Sequence, residues 1–334
     1  MPYTNFPNGV TSMGVPLPSG NGMPFIITGH VYYAKKTTDT DYSEFNDNHF
    51  VDYQDGTTSV QNTIQAAVDC CLSGRGDVVF VCQGKWVEDV VIVGKTGLRL
   101  FGQGYGTGST EPGATRLRPN DATTLYPFTS KLGTVTHGAA FHVLSRNVEI
   151  AGFYFDGGGG CCGIYAGGGL NGGVTGYTTE NASGLYVHDN FIRGGAEGQI
   201  GLYMNGIRFG GIIERNIFER WTSAGIEMDA GNASNESCII RGNTFLAANA
   251  SYGVVTYGEG NSALHCQIAN NVFSDGASLA FTFGILNNSG STGVLGVTGN
   301  FLNCTNKMSL LATDVHCGNY KGTLNATEVY CTES

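Results

Sequence analysis

The sequence is poor in charged side chains and in long hydrophobic runs. Only 13% of its 334 residues are charged, with 17 basic against 27 acidic side chains and a net charge of −10. With so few basic residues, the sequence does not have the basic surface that binding to nucleic acid or to an anionic membrane requires. No stretch approaches the ~20 apolar residues of a membrane span. We therefore expect neither nucleic acid nor a membrane as a partner.

Motifs for metals and nucleotides are also missing. The ten cysteines contain no C-x₂-C element, which argues against a zinc site, and we expect most of them to be reduced when the protein assembles. Gly102, Gly104 and Gly106 resemble a phosphate-binding loop only superficially, because neither a helical pattern nor a Lys-Ser/Thr pair follows them. No cofactor and no metal are expected.

What the chain does contain is a repeat. The segments LYVHDNFI, GIIERNIF, CIIRGNTF, CQIANNVF and LGVTGNFL share an asparagine followed two residues later by a large apolar side chain. The spacings between these asparagines are 26, 27, 28 and 29 residues. A Gly-aliphatic pair follows each of the first four segments. The five asparagines are Asn190, Asn216, Asn243, Asn271 and Asn300.

A period near 27 residues, made of short strands and Gly/Asn turns, predicts a parallel β-helix. Such strands can bury their inward side chains only when successive coils stack, about 4.8 Å apart. Stacked asparagine amides can then bond to one another and to turn backbone. We expect these five asparagines to form a structural ladder.

The segment before the repeat predicts a capping helix. Thr58 is a candidate N-cap with Gln61 three residues later, apolar residues follow at helical spacing, and Gly74 marks the stop. Such a helix would cover the open edge of the first coil. The predicted organisation is an extended N-terminal arm over 1–55, a capping helix over 56–75, the β-helix over 76–305 and a C-terminal cap over 306–334.

The order helix, strand, Gly-x-Trp turn, Val/Ile-rich strand and LFGQG over residues 56–106, with the asparagine coils after it, resembles right-handed β-helix proteins of the pectate-lyase-like class, which include many phage tailspikes. The resemblance spans roughly 56–305. It implies an all-β fold, a right-handed single-stranded parallel β-helix. It implies no single activity, because this fold carries lyases, hydrolases, adhesins and virion parts alike.

Catalytic motifs of that class are not found, and one acidic strand is the remaining candidate. In ERWTSAGIEMDAG, Glu227 and Asp229 would point outward from one strand, with Glu219 and Trp221 just before it. Their Cα atoms would be ~6.5–7 Å apart along the strand. Two carboxylates near that separation could act as acid and base in glycoside hydrolysis. Tyr203 and Tyr257 should lie in adjacent coils as platforms for a sugar. The alternative is an ordinary solvated strand face.

Two outward-facing positions of the predicted coil carry mostly apolar side chains, although a monomer usually has polar side chains on its surface. The residue after each ladder asparagine is Phe191, Ile217, Thr244, Val272 or Phe301, and the outward position before it includes Tyr186, Ile212 and Ile239. An exposed apolar patch of this kind requires a cover. We expect a homotrimer about an axis parallel to the solenoid; covering by the 107–138 excursion is the alternative.

Two classes of function remain. One is a non-enzymatic virion protein of a tailed phage, such as a capsid decoration, head fibre or spike, assembled in the host cytoplasm and placed on the virion surface. The other is a tailspike that binds or cleaves a host surface glycan. Residues 1–25 carry no charge and no signal-peptide pattern. Their opening YTNFPNGVTSMG resembles that of some tailed-phage virion proteins, which implies attachment to the capsid or tail through Tyr3, Phe6, Val10, Val15 and Phe25.

Overall fold

The computed structural model of the chain describes most of residues 60–321 and short pieces before them. The described ranges are 11–12, 15–16, 29–35, 60–104, 114–120, 128–130, 132–135, 138–157, 161–167, 182–194, 198–207, 210–229, 235–247, 251–258, 263–275, 280–289, 294–304 and 307–321.

The described residues form one helix and many short strands. The elements of the first half are β1 (Thr11–Ser12), β2 (Val15–Pro16), β3 (Val31–Ala34), β4 (Val60–Gln61), α1 (Ile64–Cys70), β5 (Val78–Val81), β6 (Gly84–Val87), β7 (Val90–Val93), β8 (Arg99–Gly102), β9 (Thr115–Arg118), β10 (Phe128–Ser130), β11 (Gly133–Val135), β12 (Ala139–Leu144), β13 (Glu149–Ala151), β14 (Tyr154–Asp156) and β15 (Cys162–Gly167).

The second half is a regular series of strands. They are β16 (Tyr186–His188), β17 (Phe191–Arg193), β18 (Ile200–Asn205), β19 (Ile212–Glu214), β20 (Ile217–Glu219), β21 (Ala224–Asp229), β22 (Asn235–Glu236), β23 (Ile239–Arg241), β24 (Thr244–Leu246), β25 (Ser251–Gly258), β26 (Ala263–Leu264), β27 (Cys266–Ala269), β28 (Val272–Ser274), β29 (Phe281–Ser289), β30 (Leu295–Thr298), β31 (Phe301–Asn303), β32 (Met308–Ser309), β33 (Val315–Cys317) and β34 (Tyr320–Lys321).

Parallel pairing between successive coils builds three long sheets. Their strand orders are β33-β30-β27-β23-β19-β16-β13-β8-β5-β3-β4 in the eleven-stranded sheet, β34-β31-β28-β24-β20-β17-β14-β9-β6 in the nine-stranded sheet and β32-β29-β25-β21-β18-β15-β12-β7 in the eight-stranded sheet. The chain visits the three sheets in that order in each coil. This is a right-handed parallel β-helix, as the sequence predicts.

The lumen is filled by columns of equivalent residues. Phe218, Phe245 and Phe273 share one inward position of the nine-stranded sheet, and successive rings stack with centroids 4.9 and 4.7 Å apart. Glycines of the eight-stranded sheet lie against them. A Cβ at Gly225 would come within 2.8 Å of the Phe245 ring, and one at Gly253 within 2.6 Å of the Phe273 ring. The Gly-aliphatic part of the repeat therefore makes room for the phenyl stack.

The asparagines form a ladder along the corner between the eleven- and nine-stranded sheets. The backbone N–H and the Nδ2 of Asn216 both donate to the Oδ1 of Asn243, at 2.9 and 3.1 Å. Its Nδ2 also donates to the carbonyls of Val187 and Glu214. The side chain thus satisfies turn backbone that burial removes from water. The same bonds to the next rung recur at Asn190, Asn243, Asn271 and Asn300.

The ladder continues beyond the last repeat recognised in the sequence. Asn300 bonds to a sixth rung, Asn319, only 19 residues later. Residues 307–321, which the sequence analysis places in the C-terminal cap, supply β32, β33 and β34 of the three sheets. This coil escapes the pattern because it is short and because Lys321 stands where the earlier coils have an apolar residue.

The capping helix is shorter than the sequence predicts. It covers Ile64–Cys70, and its N-cap is Thr63, whose side chain accepts a hydrogen bond from the N–H of Ala66. The expected N-cap arrangement of Thr58 with Gln61 is wrong, because Gln61 belongs to β4 and pairs with Ala34 of β3. No helix of the described ranges is long and apolar enough to cross a membrane.

Gln65 of this helix closes the edge of the eight-stranded sheet. Its Oε1 accepts from the N–H of Val91 at 2.7 Å, and its Nε2 donates to the carbonyl of Val91 at 3.2 Å. Val91 lies on β7, the terminal strand of that sheet. The amide side chain thus bonds to the edge as a neighbouring strand would.

Part of the predicted arm belongs to the solenoid. Strand β3, inside the segment 1–55, lies between β4 and β5 in the eleven-stranded sheet. Its attachment is fixed by the buried Asp77, which accepts from the N–H of His30 at 2.8 Å and from Arg75. The predicted anchors Tyr3, Phe6, Val10 and Phe25 lie outside the described residues, and for Val15 only its place in β2 is described.

Candidate functional site

The candidate acidic pair lies on β21, on the outward side of the eight-stranded sheet. Ile226 and Met228 point into the core, so Glu227 and Asp229 point away from it. Yet Glu227 is 0% and Asp229 only 4% exposed. The expectation that these carboxylates face solvent is wrong, because alternation along a strand determines the side on which a residue lies and not whether that side is covered.

The two tyrosines lie beside this pair, as expected from their position in the repeat. Tyr203 is in register with Glu227, and its hydroxyl donates to Oδ2 of Asp229 at 2.9 Å. Tyr257 is in register with Asp229 and is half-buried. Burial raises the pKa of Tyr203, and the charges of Asp229 and Glu227 raise it further. Tyr203 is therefore a buried neutral donor to a carboxylate and offers no open platform for a sugar.

The same outward column is sealed in the preceding coils. His142, Tyr165 and Tyr203 follow one another in register, with ring centroids 5.9 and 5.6 Å apart. Burial lowers the pKa of His142 to about 3, and its Nε2 accepts a hydrogen bond from the N–H of Ala139, which the neutral ring can do and the protonated ring cannot. A neutral histidine among tyrosines behaves here as a packing residue. Apolar residues complete this cluster: Ala139, Leu144, Cys162 and Ile200.

The other two candidates lie elsewhere. Trp221 is a core residue, and its Nε1 donates to the carbonyl of Ile192 at 2.8 Å. Glu219 is on the outer face of the nine-stranded sheet, where it pairs with Arg193 at 3.6 Å and with Arg220 at 3.2 Å. The three carboxylates therefore do not gather at one site. No group of three or more His, Cys, Asp or Glu residues in the described ranges is placed to hold a metal ion.

The first apolar column runs along seven of the nine strands of the nine-stranded sheet. Phe191, Ile217, Thr244, Val272 and Phe301 are paired in register through five coils, with Tyr154 before them and Tyr320 after. Exposure increases along the column. Tyr154 is 2% exposed, whereas Phe301 and Tyr320 are 42% and 46% exposed. The column therefore opens to solvent toward its C-terminal end.

The second apolar column belongs to a different sheet. Tyr186, Ile212 and Ile239 are paired in register on the eleven-stranded sheet and are half-buried. The corner that carries the asparagine ladder separates them from the Phe191 column. In the middle coils the outward positions at this corner carry ionisable side chains, among them His188 and Glu214. The two columns are therefore distinct surfaces and do not form the single contiguous patch that the sequence suggested.

The corner carries a network of ion pairs that we call the corner network: Glu149, His188, Asp189, Glu214, Arg215 and Arg241. His188 lies between Asp189 and Glu149, with ring-nitrogen to oxygen distances of 2.7 and 3.0 Å. Arg215 binds both oxygens of Asp189 at 2.9 Å and also contacts Glu214, which accepts from Arg241 at 2.7 Å.

The corner network raises the pKa of His188 and supports a turn with left-handed backbone. Partial burial lowers the pKa of His188, but the hydrogen bonds to Asp189 and Glu149 outweigh it and raise the pKa above 6.5. Asp189 and Arg215 also have left-handed backbone, with φ of 52° and 54°, at the turn before a ladder asparagine. Arginine is uncommon there, and the bidentate pair helps to hold the turn. The sequence carries a signal for the network: two residues before successive asparagines stand His188, Glu214 and Arg241.

Comparison with known proteins identifies the fold and nothing finer. No protein-family model matches the chain. No curated protein sequence matches it. The pectin methylesterase from Aspergillus niger in deglycosylated form superposes with a TM-score of 0.53 at 15% identity, covering 84% of this chain and 88% of its own.

More distant matches include XylC in complex with xylose and ORF18 of Geobacillus virus E2. Their TM-scores are 0.48 and 0.41 at 11% and 14% identity, with 80% and 77% of this chain and 66% and 57% of theirs covered. Both scores are too low to carry an argument. The chain therefore has a right-handed parallel β-helix fold similar to that of a pectin methylesterase.

Proposed function

We propose that the protein is a structural, non-enzymatic component of a tailed-phage particle, a homotrimeric capsid decoration, head fibre or spike on the virion surface. The observation that carries this proposal is the apolar column on the outer face of the nine-stranded sheet. Monomers rarely present an outward row with so many apolar side chains. A second copy packed along the solenoid would cover it, and closed cyclic symmetry limits the assembly to a few copies.

The burial of the acidic pair supports a non-enzymatic role. General acid–base catalysis requires a carboxyl group within hydrogen-bond reach of the scissile bond. Glu227 and Asp229 are buried, and Asp229 already accepts a hydrogen bond from the hydroxyl of Tyr203. Glu219 is engaged by two arginines on another sheet. The glycan-cleaving alternative has correspondingly less support.

Attachment is assigned to the segment before the solenoid. Residues 1–25 are uncharged and rich in proline and glycine, and they precede β3, the first strand of the long sheets. Prolines favour an extended segment that loses little entropy when a groove or sheet edge captures it. The resemblance of its opening to tailed-phage virion proteins favours a capsid or tail protein as the partner.

Light scattering combined with antibody-labelled electron microscopy of particles tests this function. We expect a solution mass three times the chain's 35.2 kDa. A chain without residues 1–25 should still form a trimer, with three times the mass of the truncated chain, because all strands of the long sheets remain, yet the truncated protein should be absent from particles. A monomer mass for the intact chain, or normal incorporation of the truncated chain, would contradict the proposal.

Incubation with host polysaccharide tests the enzymatic alternative. The structural proposal predicts no shortening of the polymer by the wild type. The informative pair of variants is Glu227→Gln and, as a control on another sheet, Glu219→Gln. Cleavage by the wild type that is lost in Glu227→Gln and kept in Glu219→Gln would overturn the structural proposal.

A further inference from the structure

Exposed large apolar side chains concentrate at one end of the solenoid. Among the described residues, two lie near the N-terminal end, Leu72 and Val87, and the others follow Arg241. These others are Leu246, Val272, Val294, Phe301, Val315 and Tyr320. Four of them share the outer face of the nine-stranded sheet in consecutive coils. We call Leu246, Val272, Phe301 and Tyr320 the C-terminal patch.

Charge is distributed in the opposite way. Of the 17 basic and 27 acidic residues, seven follow Arg241: Glu259, Asp275, Lys307, Asp314, Lys321, Glu328 and Glu333. On the outer face of the nine-stranded sheet, the positions beside the patch are the uncharged Thr244, Ser274 and Asn303. In the earlier coils, the positions in register with Leu246, Ser274 and Asn303 carry Asp156, Arg193 and Glu219.

The earlier part of the same face is covered by its own side chains. The guanidinium of Arg116 lies over the Tyr154 ring, 5.7 Å from its centroid, and pairs with Asp156. Arg193 donates to the Tyr154 hydroxyl at 3.2 Å and pairs with Glu219. The stems of these arginines shield the aromatic ring while their charges remain hydrated. Tyr154, at this end of the column, is only 2% exposed and therefore has no need of an external cover.

We propose that the C-terminal patch is the contact surface for a second copy of this chain and that the copies meet there rather than along the whole solenoid. The inference rests on the proposed homotrimer and narrows its interface. Chains with a net charge of −10 repel one another, so they approach at least electrostatic cost where charge is absent. In a cyclic assembly about an axis parallel to the solenoid, equal heights face each other, which places the charge-poor end of each copy beside that of the next.

The patch has the dimensions of an interface centre. It spans four consecutive coils, about 14 Å from first to last at ~4.8 Å per coil. A stable contact buries ~800 Å² on each partner, with most of the binding energy in a few central apolar residues and a polar rim. Val272 and Phe301 occupy the middle of the patch, and Ser274 and Asn303 are beside them.

The test places a negative charge at the centre of the patch and, as a control, at an equally exposed site on the same sheet. Phe301→Glu and Val272→Glu should each weaken association by about 30-fold or more, the loss typical of a central interface residue. Val87→Glu should leave association unchanged. Val87 is 43% exposed and Phe301 is 42% exposed, and both face outward on the nine-stranded sheet. Association is measured by analytical ultracentrifugation over a concentration series.

The outcomes separate this inference from the proposed function. Folded monomers of both patch variants beside an intact Val87→Glu oligomer support the inference, with circular dichroism reporting the fold. An oligomeric wild type that Phe301→Glu and Val272→Glu leave intact overturns the inference but not the homotrimer. Dissociation by Val87→Glu alone overturns it as well. A wild-type protein that is monomeric would contradict the proposed homotrimer itself.

Discussion

Replacing Asn243 by alanine removes one rung from the middle of the asparagine ladder. Asn243 is buried, and its Nδ2 donates to the carbonyls of Ile213 and Arg241 at 2.9 and 3.1 Å. Its Oδ1 accepts from the backbone N–H of Asn216 at 2.9 Å. The substitution therefore strands at least one backbone donor and one carbonyl in a place that water does not reach.

The size of the effect follows from these lost partners. A buried polar group left without a hydrogen bond costs about 1 to 3 kcal/mol, so two of them cost about 2 to 6 kcal/mol. This is a large fraction of the ~5 to 15 kcal/mol that stabilises an ordinary folded domain. Asn303→Ala is the matched control, because Asn303 lies two coils away but is exposed, and its loss should change stability by less than about 0.5 kcal/mol.

Urea denaturation followed by tryptophan fluorescence measures the difference. Both tryptophans, Trp86 and Trp221, are core residues and report the opening of the solenoid. All variants are compared at one protein concentration, because association would add to apparent stability. If unfolding is irreversible, unfolding rates at one urea concentration replace the midpoints. A loss for Asn243→Ala that equals the loss for Asn303→Ala would refute the structural role of the ladder.

Two further substitutions test the lumen and the corner network. Gly225→Ala should destabilise the fold by about 1 to 3 kcal/mol through overpacking, because its Cβ would lie 2.8 Å from the Phe245 ring. Gly296→Ala is the control and should be tolerated, because the nearest neighbour of its Cβ would be 3.7 Å away. Thermal melts of both variants measure the difference. For His188, the raised pKa means that its stabilisation is complete below about pH 6.5 and is lost as pH rises through the folded-state value. An NMR titration should place the midpoint of His188 above pH 6.5 in the wild type and at a lower pH in Glu149→Gln. A wild-type midpoint below pH 6.5 would contradict this account.

The fold could be predicted from the sequence because its stabilising columns require one residue type at one place in every coil. An amide bonds to the next amide only if asparagine recurs, and a phenyl stack requires a facing glycine. The same logic explains the missed sixth rung. Asn319 keeps the amide, but its coil of 19 residues breaks the spacing on which recognition depended.

The surfaces were harder to predict than the core. Alternation placed Glu227 and Asp229 correctly outside the lumen, but their burial depends on tertiary packing that no local pattern encodes. Likewise, Phe191 and Tyr186 are both outward and apolar, yet they lie on different sheets on either side of the corner. Whether a side chain points inward or outward follows from its place in the repeat. Its burial and its neighbours on the surface depend on how the coils pack together.

The bonds between Gln65 and Val91 also bear on how the protein avoids forming a filament. A β-helix with an open end can nucleate strand pairing with the end of another molecule and extend without limit. At β7 both hydrogen-bonding groups of Val91 are already occupied by one side chain. A single glutamine on a short helix thus withdraws that residue from end-to-end strand pairing with another molecule.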